Sequence, residues 1–339
     1  MKHTPENNER HIEPRKTAWM IAAAILTVVA LFLISGNGAS SKADAIQPVA
    51  DDYTLEADGP PDAQSTSGPT PPIGVSADGV DLASTAATTT TIAGVPAYNW
   101  RHGCGPTAAG MVIGYWDGQG HDALVPGDAS TQTAAVNAMI ASGDTAGDSG
   151  TNYADYCYPE DYYPNLEPDL SEPPTGDEHA DDCVADYMKT SQSYYNNYYG
   201  WSWFSDVGPA LRNYTRQVLG SNYFVITENL YMFNSSLNWD RLRAEIDAGR
   251  PMIFLVDTDG DGSTDHFVTV IGYADTGGGQ YYACLNTWDD DIHWFEFALI
   301  EPGQPWGVFG GTSYKILTFD QHLFFPLIRA TVNAVGDDR

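Results

Sequence analysis

The sequence predicts an α+β fold, with helices first along the chain and an antiparallel sheet after them. Helix-type spacing of apolar residues prevails up to residue 248, and strand-type alternation replaces it from Pro251 onward. Gly and Asp turns separate the candidate strands. The chain has 339 residues with 9 Trp, 20 Tyr and 12 Phe, enough aromatic surface to require a sizeable buried core.

Five segments are predicted to be helices. In the first, Pro106 suits the opening turn, and Ala, Met, Val and Ile supply an apolar face. Gly143 and Gly249 mark the ends of two others, because glycine commonly terminates helices. The predicted helices are residues 105–116, 131–142, 181–190, 207–219 and 238–248.

Five strands are predicted after the helices, at residues 251–256, 266–273, 280–288, 293–300 and 313–319. Between the two parts, residues 144–204 form an acidic, proline-rich and aromatic insertion with little regular structure expected. Its end, YYNNYYGWSWF, is interpreted as core or a packed lid, with a substrate groove as the alternative. The whole domain is predicted to span residues 93–330.

The N-terminus has the pattern of an export segment. Arg15 and Lys16 precede an uncharged apolar run, residues 18–34, which just reaches the length that spans a bilayer. An Ala-x-Ala site at residues 43–45 predicts cleavage, and an uncut anchor remains the alternative. Residues 1–45 are therefore a signal peptide or signal anchor, and residues 46–92 are predicted to be a disordered linker rich in Pro, Ser and Thr.

The charge of the chain excludes one class of partner. The formal net charge is −30, so the protein should repel nucleic acid. With the export segment, this predicts a secreted protein, or one anchored by residues 18–34 to the outer face of the cell membrane. The oligomeric state is not predicted.

Three residues in chain order suggest nucleophilic catalysis. Cys104 directly precedes the first predicted helix, whose positive end stabilises a thiolate, and glycines on both sides let a substrate backbone approach. His266 opens a strand, and Asn286 lies on the next one, where antiparallel pairing can set the two side by side. A thiol, a base and a group that orients the base form the arrangement of papain-like hydrolases.

The segments around these residues resemble a known family. VPAYNWRHGCGPTAAGMVIGYW resembles the cysteine segment of C39-like cysteine peptidases, and GRPMIFLVDTDGDGSTDHFVTVIGYAD resembles their histidine segment. LNTW resembles the Asn-x-Trp of papain-like enzymes. The similarity covers about residues 93–120 and 238–318, in the correct order. It implies a papain-like cysteine peptidase fold that hydrolyses peptide bonds in a peptide or protein substrate.

The resemblance also implies roles. Cys104 is the nucleophile, His266 the base and Asn286 the orienting residue; Asp289 is the reserve third residue, because many relatives use Asp there. The family usually has Gln five or six residues before the cysteine to bind the oxyanion. Here Asn99 is the candidate, since its amide donor is only one methylene shorter.

An acidic loop directly before the histidine predicts a calcium site. It reads D-x-D-G-D-G-x-x-D from Asp257, which reproduces the front of an EF-hand loop. The closing position would be Val268, which has no side-chain oxygen, so residues 289–291 are candidates to complete the coordination. A solvated Asp/Gly turn is the alternative. The predicted Ca2+ ligands are Asp257, Asp259, Asp261, Ser263 and Asp265.

The remaining cysteines are assigned by compartment. Cys157 and Cys183 both lie in the insertion, and outside the cell they are predicted to form a disulfide. Cys284 lies within a predicted strand and should be a buried free thiol.

Two hypotheses of function follow. The first is an exported papain-like cysteine hydrolase, a peptidase, with amidase or transferase chemistry as an alternative in the same class. The second is a catalytically inactive, calcium-stabilised extracellular binding domain on a membrane stalk. A reactive thiol at Cys104 distinguishes them.

Overall fold

A single eight-stranded sheet organises the protein. The computed structural model describes residues 54–56, 68–82, 87–142, 181–190, 200–220 and 222–318. All of them lie in one structural unit, residues 50–339. The predicted export segment, Cys157 and most of the insertion lie outside the described residues. Within the described residues, no helix is both long enough and apolar enough to cross a membrane.

The strands follow the order β1-β3-β8-β4-β5-β6-β7, and β2 pairs with β5 beyond the first residue of β4. All pairings between these strands are antiparallel except β1 with β3. The strands are β1 (Thr54–Glu56), β2 (Thr88–Thr91), β3 (Tyr223–Tyr231), β4 (Met252–Asp257), β5 (His266–Asp275), β6 (Gln280–Leu285), β7 (Ile292–Glu296) and β8 (Gly307–Thr318).

The helices are α1 (Cys104–Gly118), α2 (Ala134–Ile140), α3 (Val184–Tyr187), α4 (Phe204–Leu219) and α5 (Trp239–Asp247). Helix α1 is buried along almost its whole length, against β5 and the other helices on that side. Its small residues permit this packing: a Cβ on Gly110 would lie 2.6 Å from Ile140. The Thr269 hydroxyl donates to the Ala108 carbonyl at 2.9 Å, which fixes α1 along β5.

The centre of the sheet is buried on both faces. Ile253 and Leu255 of β4 belong to the core shared with helices α1 to α4, whereas Met252, Phe254 and Val256 belong to the core on the opposite face, together with α5. This explains why β4 is a continuous apolar run rather than an alternating one. Strand β5 begins at His266, which pairs with Val256 of β4. The predicted base therefore lies in the buried, well-packed part of the sheet.

The α+β architecture is confirmed, and all five predicted strands are present. Strand β3 was not predicted, because the side chains that it turns toward α4 include Thr227 and Asn229, which interrupt the apolar alternation. Among the helices, the segment predicted at 181–190 forms only the short helix α3.

The structure differs from the prediction of a disordered linker over residues 46–92. Strand β2, a run of four threonines, pairs with Gly272–Asp275 of β5. Residues 68–82 pack along the body, where the Val80 N–H donates to the Trp294 carbonyl at 2.8 Å. Four polar β-branched residues in a row favour a strand but carry no apolar period, so composition alone did not identify them.

Candidate active site

Cys104 is the first residue of α1 and has no accessible surface. Gly103 precedes it with a φ of 138°, and a Cβ there would lie 2.6 Å from the Gly200 carbonyl oxygen. Glycine is thus required both by the backbone angle and by the close approach of residue 200. The Thr107 hydroxyl donates to the Gly103 carbonyl at 2.7 Å and accepts from the Arg101 N–H at 2.9 Å, which fixes the loop before the thiol.

His266 and Cys104 are brought together by the start of β5. The N–H of Phe267, the residue after His266, donates to Cys104 Sγ at 3.4 Å. His266 is itself completely buried. The predicted nucleophile and base therefore lie at the junction of the helix α1 N-terminus and the first residues of β5.

Asn286 also reaches this site, but through its backbone. His266 Nε2 lies 2.6 Å from the Asn286 carbonyl oxygen. The Asn286 side-chain oxygen instead accepts from the N–H groups of Trp288 at 2.9 Å and Asp289 at 3.2 Å, which closes the turn after β6. A carbonyl only accepts, so this contact assigns the proton to Nε2 and leaves Nδ1 with its lone pair.

Burial lowers the pKa of His266 to about 3, although the hydrogen bond with the Asn286 carbonyl opposes the shift. The imidazole is therefore neutral at ordinary pH and can accept a proton. The imidazolium that would result is disfavoured for as long as the site remains closed to water.

Two tryptophans surround the imidazole. The Trp288 ring is stacked on it with centroids 3.8 Å apart, and Trp306 stands edge-on at 6.4 Å. Each indole N–H donates to a backbone carbonyl of the 68–82 segment at 3.0 Å, Trp288 to Gly68 and Trp306 to Ser76. The contribution of this segment was missed, because its sequence has the composition of a linker.

Asn99 is exposed and lies against the same turn. Its amide nitrogen donates to Asp290 Oδ1 at 3.2 Å, and its backbone exchanges two hydrogen bonds with the Gln132 side chain at 2.8 and 3.0 Å. To bind an oxyanion, the amide would have to leave Asp290. Its role in catalysis stays a prediction.

Asp289, the reserve third residue, has a different partner. Its Oδ1 lies 2.7 Å from His293 Nε2. Burial alone would raise the pKa of Asp289, but the hydrogen bonds from His293 and the Asp291 N–H outweigh it, so the pKa is lowered. In this structure the orienting contact to His266 comes from the Asn286 carbonyl and not from Asp289.

Three of the four carboxylates in the acidic loop converge. One oxygen from each of Asp257, Asp259 and Asp261 lies within 4.8 Å of the others, a donor set suited to Ca2+. Asp257 is buried and accepts from the N–H groups of Gly260 at 2.7 Å and Gly262 at 2.6 Å. Burial raises the pKa of Asp257, so an adjacent cation would relieve an unfavourable charge.

The sequence predicts that Asp265 belongs to this group of carboxylates, but in the structure it does not. Its two oxygens accept from the Thr258 N–H at 2.9 Å and from the Thr258 hydroxyl at 2.5 Å. Burial raises its pKa to about 7. Ser263 lies on the exposed side of the loop, where its N–H donates to Asp261 Oδ1 at 2.7 Å. The carboxylate cluster is thus smaller than the predicted ligand set.

The two described cysteines outside the site, Cys183 and Cys284, are free. Cys183 is a buried free thiol directly before α3, so the predicted disulfide is not formed in this structure; its proposed partner, Cys157, lies outside the described residues. The disulfide was predicted from the oxidising environment outside the cell, which does not determine whether two cysteines lie close enough to bond. Cys284 is a buried free thiol within β6, as predicted.

The sequence model of the Peptidase_C39 like family matches residues 92–297, more than half of the chain. The protein belongs to the Peptidase_C39 like family. The match confirms the resemblance seen around Cys104 and His266, and it includes the insertion between them. No curated protein matches the chain. Membership supports a cysteine peptidase-like hydrolase that acts on a peptide or protein substrate.

Proposed function

We propose that this C39-like protein is an exported cysteine peptidase in which Cys104 is the nucleophile and His266 the base. One observation carries the proposal: the N–H of Phe267, next to His266, binds Cys104 Sγ, while the Asn286 carbonyl contacts Nε2 of the imidazole. Nucleophile, base and orienting group thus meet in one place, as such chemistry requires.

The reaction would proceed in two steps. The Cys104 thiol gives its proton to His266 Nδ1, and the sulfur attacks the carbonyl carbon of a peptide bond. The protonated imidazole then gives the proton to the departing amine, which leaves a thioester on Cys104. In the second step His266 takes a proton from water, the hydroxide displaces the thiolate, and the proton returns to sulfur as the acid product departs.

Substrate binding must open the site. Cys104 and His266 have no accessible surface, and the lowered pKa of the buried His266 opposes formation of a thiolate–imidazolium pair. Displacement of the covering residues would admit both the peptide and the polar surroundings that stabilise the imidazolium. The pKa of His266 should then rise toward its ordinary value.

The acidic loop gives this proposal a structural role for Ca2+. The loop joins Asp257, the last residue of β4, to His266, the first residue of β5. A cation held by Asp257, Asp259 and Asp261 would offset their repulsion and fix the end of the strand that carries the base. Export by residues 1–45, with cleavage or with retention of an anchor at residues 18–34, belongs to the same proposal.

The test uses the full chain with a mixture of unfolded protein substrates and detection of new N-termini. Cys104→Ala should abolish cleavage. Cys284→Ala, which removes another buried thiol, on strand β6, should retain it. Mass spectrometry of the parent protein quenched in acid should show an acyl adduct on Cys104. Cleavage that persists in Cys104→Ala would overturn the mechanism.

Two other outcomes point elsewhere. Transfer of the acyl group to an added amine in preference to water would indicate a transferase, and release of ammonia without new N-termini would indicate an amidase. Peptide binding without any Cys104-dependent turnover would favour the non-catalytic binding domain.

A further inference from the structure

Thr287, in the turn after β6, has a strained backbone conformation. Its φ is 69°, a left-handed value that a β-branched side chain rarely adopts, and it has no accessible surface. Such conformations persist only where the surrounding structure imposes them, and they cluster at functional sites. Glycine or asparagine would occupy this position with less strain.

Because Thr287 has a left-handed backbone, the carbonyls of Asn286 and Thr287 point toward different segments of the site. The Asn286 carbonyl lies 2.6 Å from His266 Nε2, and the Thr287 carbonyl accepts from the Trp100 N–H at 2.6 Å. Trp100 begins the stretch that leads to Cys104. The turn at Thr287 therefore connects the segment that contacts His266 with the segment that leads to Cys104.

One polar side-chain atom of this turn is unsatisfied. Among the described residues, the Thr287 hydroxyl is buried and has no hydrogen-bond partner. The neighbouring Asn286 side chain helps to lower the pKa of Asp289 and so has that carboxylate beside it. A buried donor without a partner is unfavourable, and one next to the base requires an explanation. A ligand that supplies an acceptor oxygen would satisfy it.

We propose that the Thr287 hydroxyl is a catalytic group that donates a hydrogen bond to the carbonyl oxygen of the scissile peptide bond. This rests on the proposed function and adds an oxyanion donor to it. The position is favourable because Thr287 lies between the cysteine loop and the base. The candidate predicted from the sequence, Asn99, is exposed and already binds Asp290.

The substitution Thr287→Val tests the hydroxyl alone. Valine has the same shape and the same β-branching, so the strain is unchanged, and the lost hydroxyl has no partner in the resting protein. We expect the melting temperature of Thr287→Val to equal or exceed that of the parent. We expect its kcat to fall by about 10²–10³, the usual loss for one oxyanion donor, with little change in KM.

Two further variants complete the experiment. Thr287→Ser keeps the hydroxyl and should keep kcat within about threefold of the parent, since the donor remains. Thr215→Val is the matched control. The Thr215 hydroxyl is buried in the core, where it donates to the Leu211 carbonyl at 2.6 Å and lies 2.6 Å from the Tyr314 hydroxyl. It should lower the melting temperature and leave kcat unchanged.

The outcomes separate the two proposals. If the parent shows turnover that depends on Cys104 and Thr287→Val keeps its kcat, the inference about Thr287 is overturned and the proposed function stands. A rise in KM with kcat unchanged also overturns it, because an oxyanion donor acts in the transition state. If the parent has no turnover that depends on Cys104, both proposals fall together.

Discussion

The ring of Trp288 lies nearly parallel to the imidazole of His266, with an angle of 13° between the two planes. The indole covers one face of the base, and its N–H is held by the Gly68 carbonyl. Gly68 lies outside the region that the family model matches, residues 92–297. A segment outside the matched region therefore contributes a hydrogen bond to the ring that covers His266.

The first prediction concerns access to the thiol. Trp288→Phe keeps an aromatic ring over His266 but loses the N–H bound to Gly68, and one such hydrogen bond contributes about 1 kcal/mol. The 68–82 segment should then open more often. Iodoacetamide should label Cys104 about fivefold faster in the variant than in the slowly reacting parent, measured by mass spectrometry. Trp239→Phe is the control. Trp239 packs against Tyr273, and its substitution should leave the labelling rate unchanged. Equal rates for Trp288→Phe and the parent would show that this contact does not control access.

The second prediction concerns Asp289. Because its carboxylate is bound to His293, Asp289→Asn should change kcat/KM by less than about twofold, and the stability should change little, since a half-exposed pair contributes about 1 kcal/mol at most. His266→Gln, measured beside it, should remove activity. A loss in Asp289→Asn as large as that in His266→Gln would restore Asp289 to the role of third catalytic residue.

The third prediction concerns pH. His266 is buried and neutral with a pKa of about 3, against an ordinary value of 6.5, and burial also lowers the pKa of His102. Between pH 6.5 and 3 these two histidines bind more protons in the unfolded chain than in the folded one, so their contribution to stability falls as the pH falls; Asp265, whose pKa burial raises to about 7, makes a contribution of the opposite sign. Melting temperatures between pH 7 and pH 4 measure the slope. His266→Gln removes the His266 contribution, so the melting temperature of the variant should fall less than that of the parent, or rise, as the pH is lowered; a slope identical to that of the parent would contradict the assignment.

The fourth prediction concerns calcium. Removal of metal should lower the melting temperature and the rate of Cys104-dependent cleavage, because Asp257, Asp259 and Asp261 then repel one another. Ca2+ should restore both quantities, and Mg2+ should restore little, since it requires a tighter octahedral site. The double variant Asp259→Asn, Asp261→Asn should lose the response to Ca2+.

Asp265→Asn is the matched control for the calcium experiment. Its carboxylate binds Thr258 and lies outside the cluster, so the variant should keep the response to Ca2+. If chelation changes neither stability nor activity of the parent, the loop is only an acidic turn.

The sequence predicts those parts of the fold whose residues follow a period or a fixed order. The apolar run of β4 identified that strand, and Pro106 with an apolar face of Ala, Met, Val and Ile identified α1, because burial leaves an apolar pattern. Strand β3 was missed because Thr227 and Asn229 occupy inward positions. Cys104 and His266 were predicted to begin elements, and each does, at the start of α1 and of β5; their catalytic roles stay predictions.

Other features of the site cannot be predicted from residue types. The contact of Asn286 with the base uses a backbone carbonyl, which every residue carries, so the asparagine suggested a side-chain contact that the structure does not show. Asp265 has the spacing of a calcium ligand, but the Thr258 N–H and hydroxyl bind it instead. The left-handed backbone of Thr287 has no sequence signal, because threonine is not a residue expected in that conformation.

The complete burial of Cys104 also bears on how long the protein lasts in an oxidising medium. Peroxides convert an accessible thiolate first to sulfenic acid and then, irreversibly, to sulfinic and sulfonic acids. A sulfur with no accessible surface meets such oxidants only during rare openings. The closure of the site therefore preserves the Cys104 thiol in its reduced state, and the oxidative damage that accumulates in storage should follow the frequency with which the site opens.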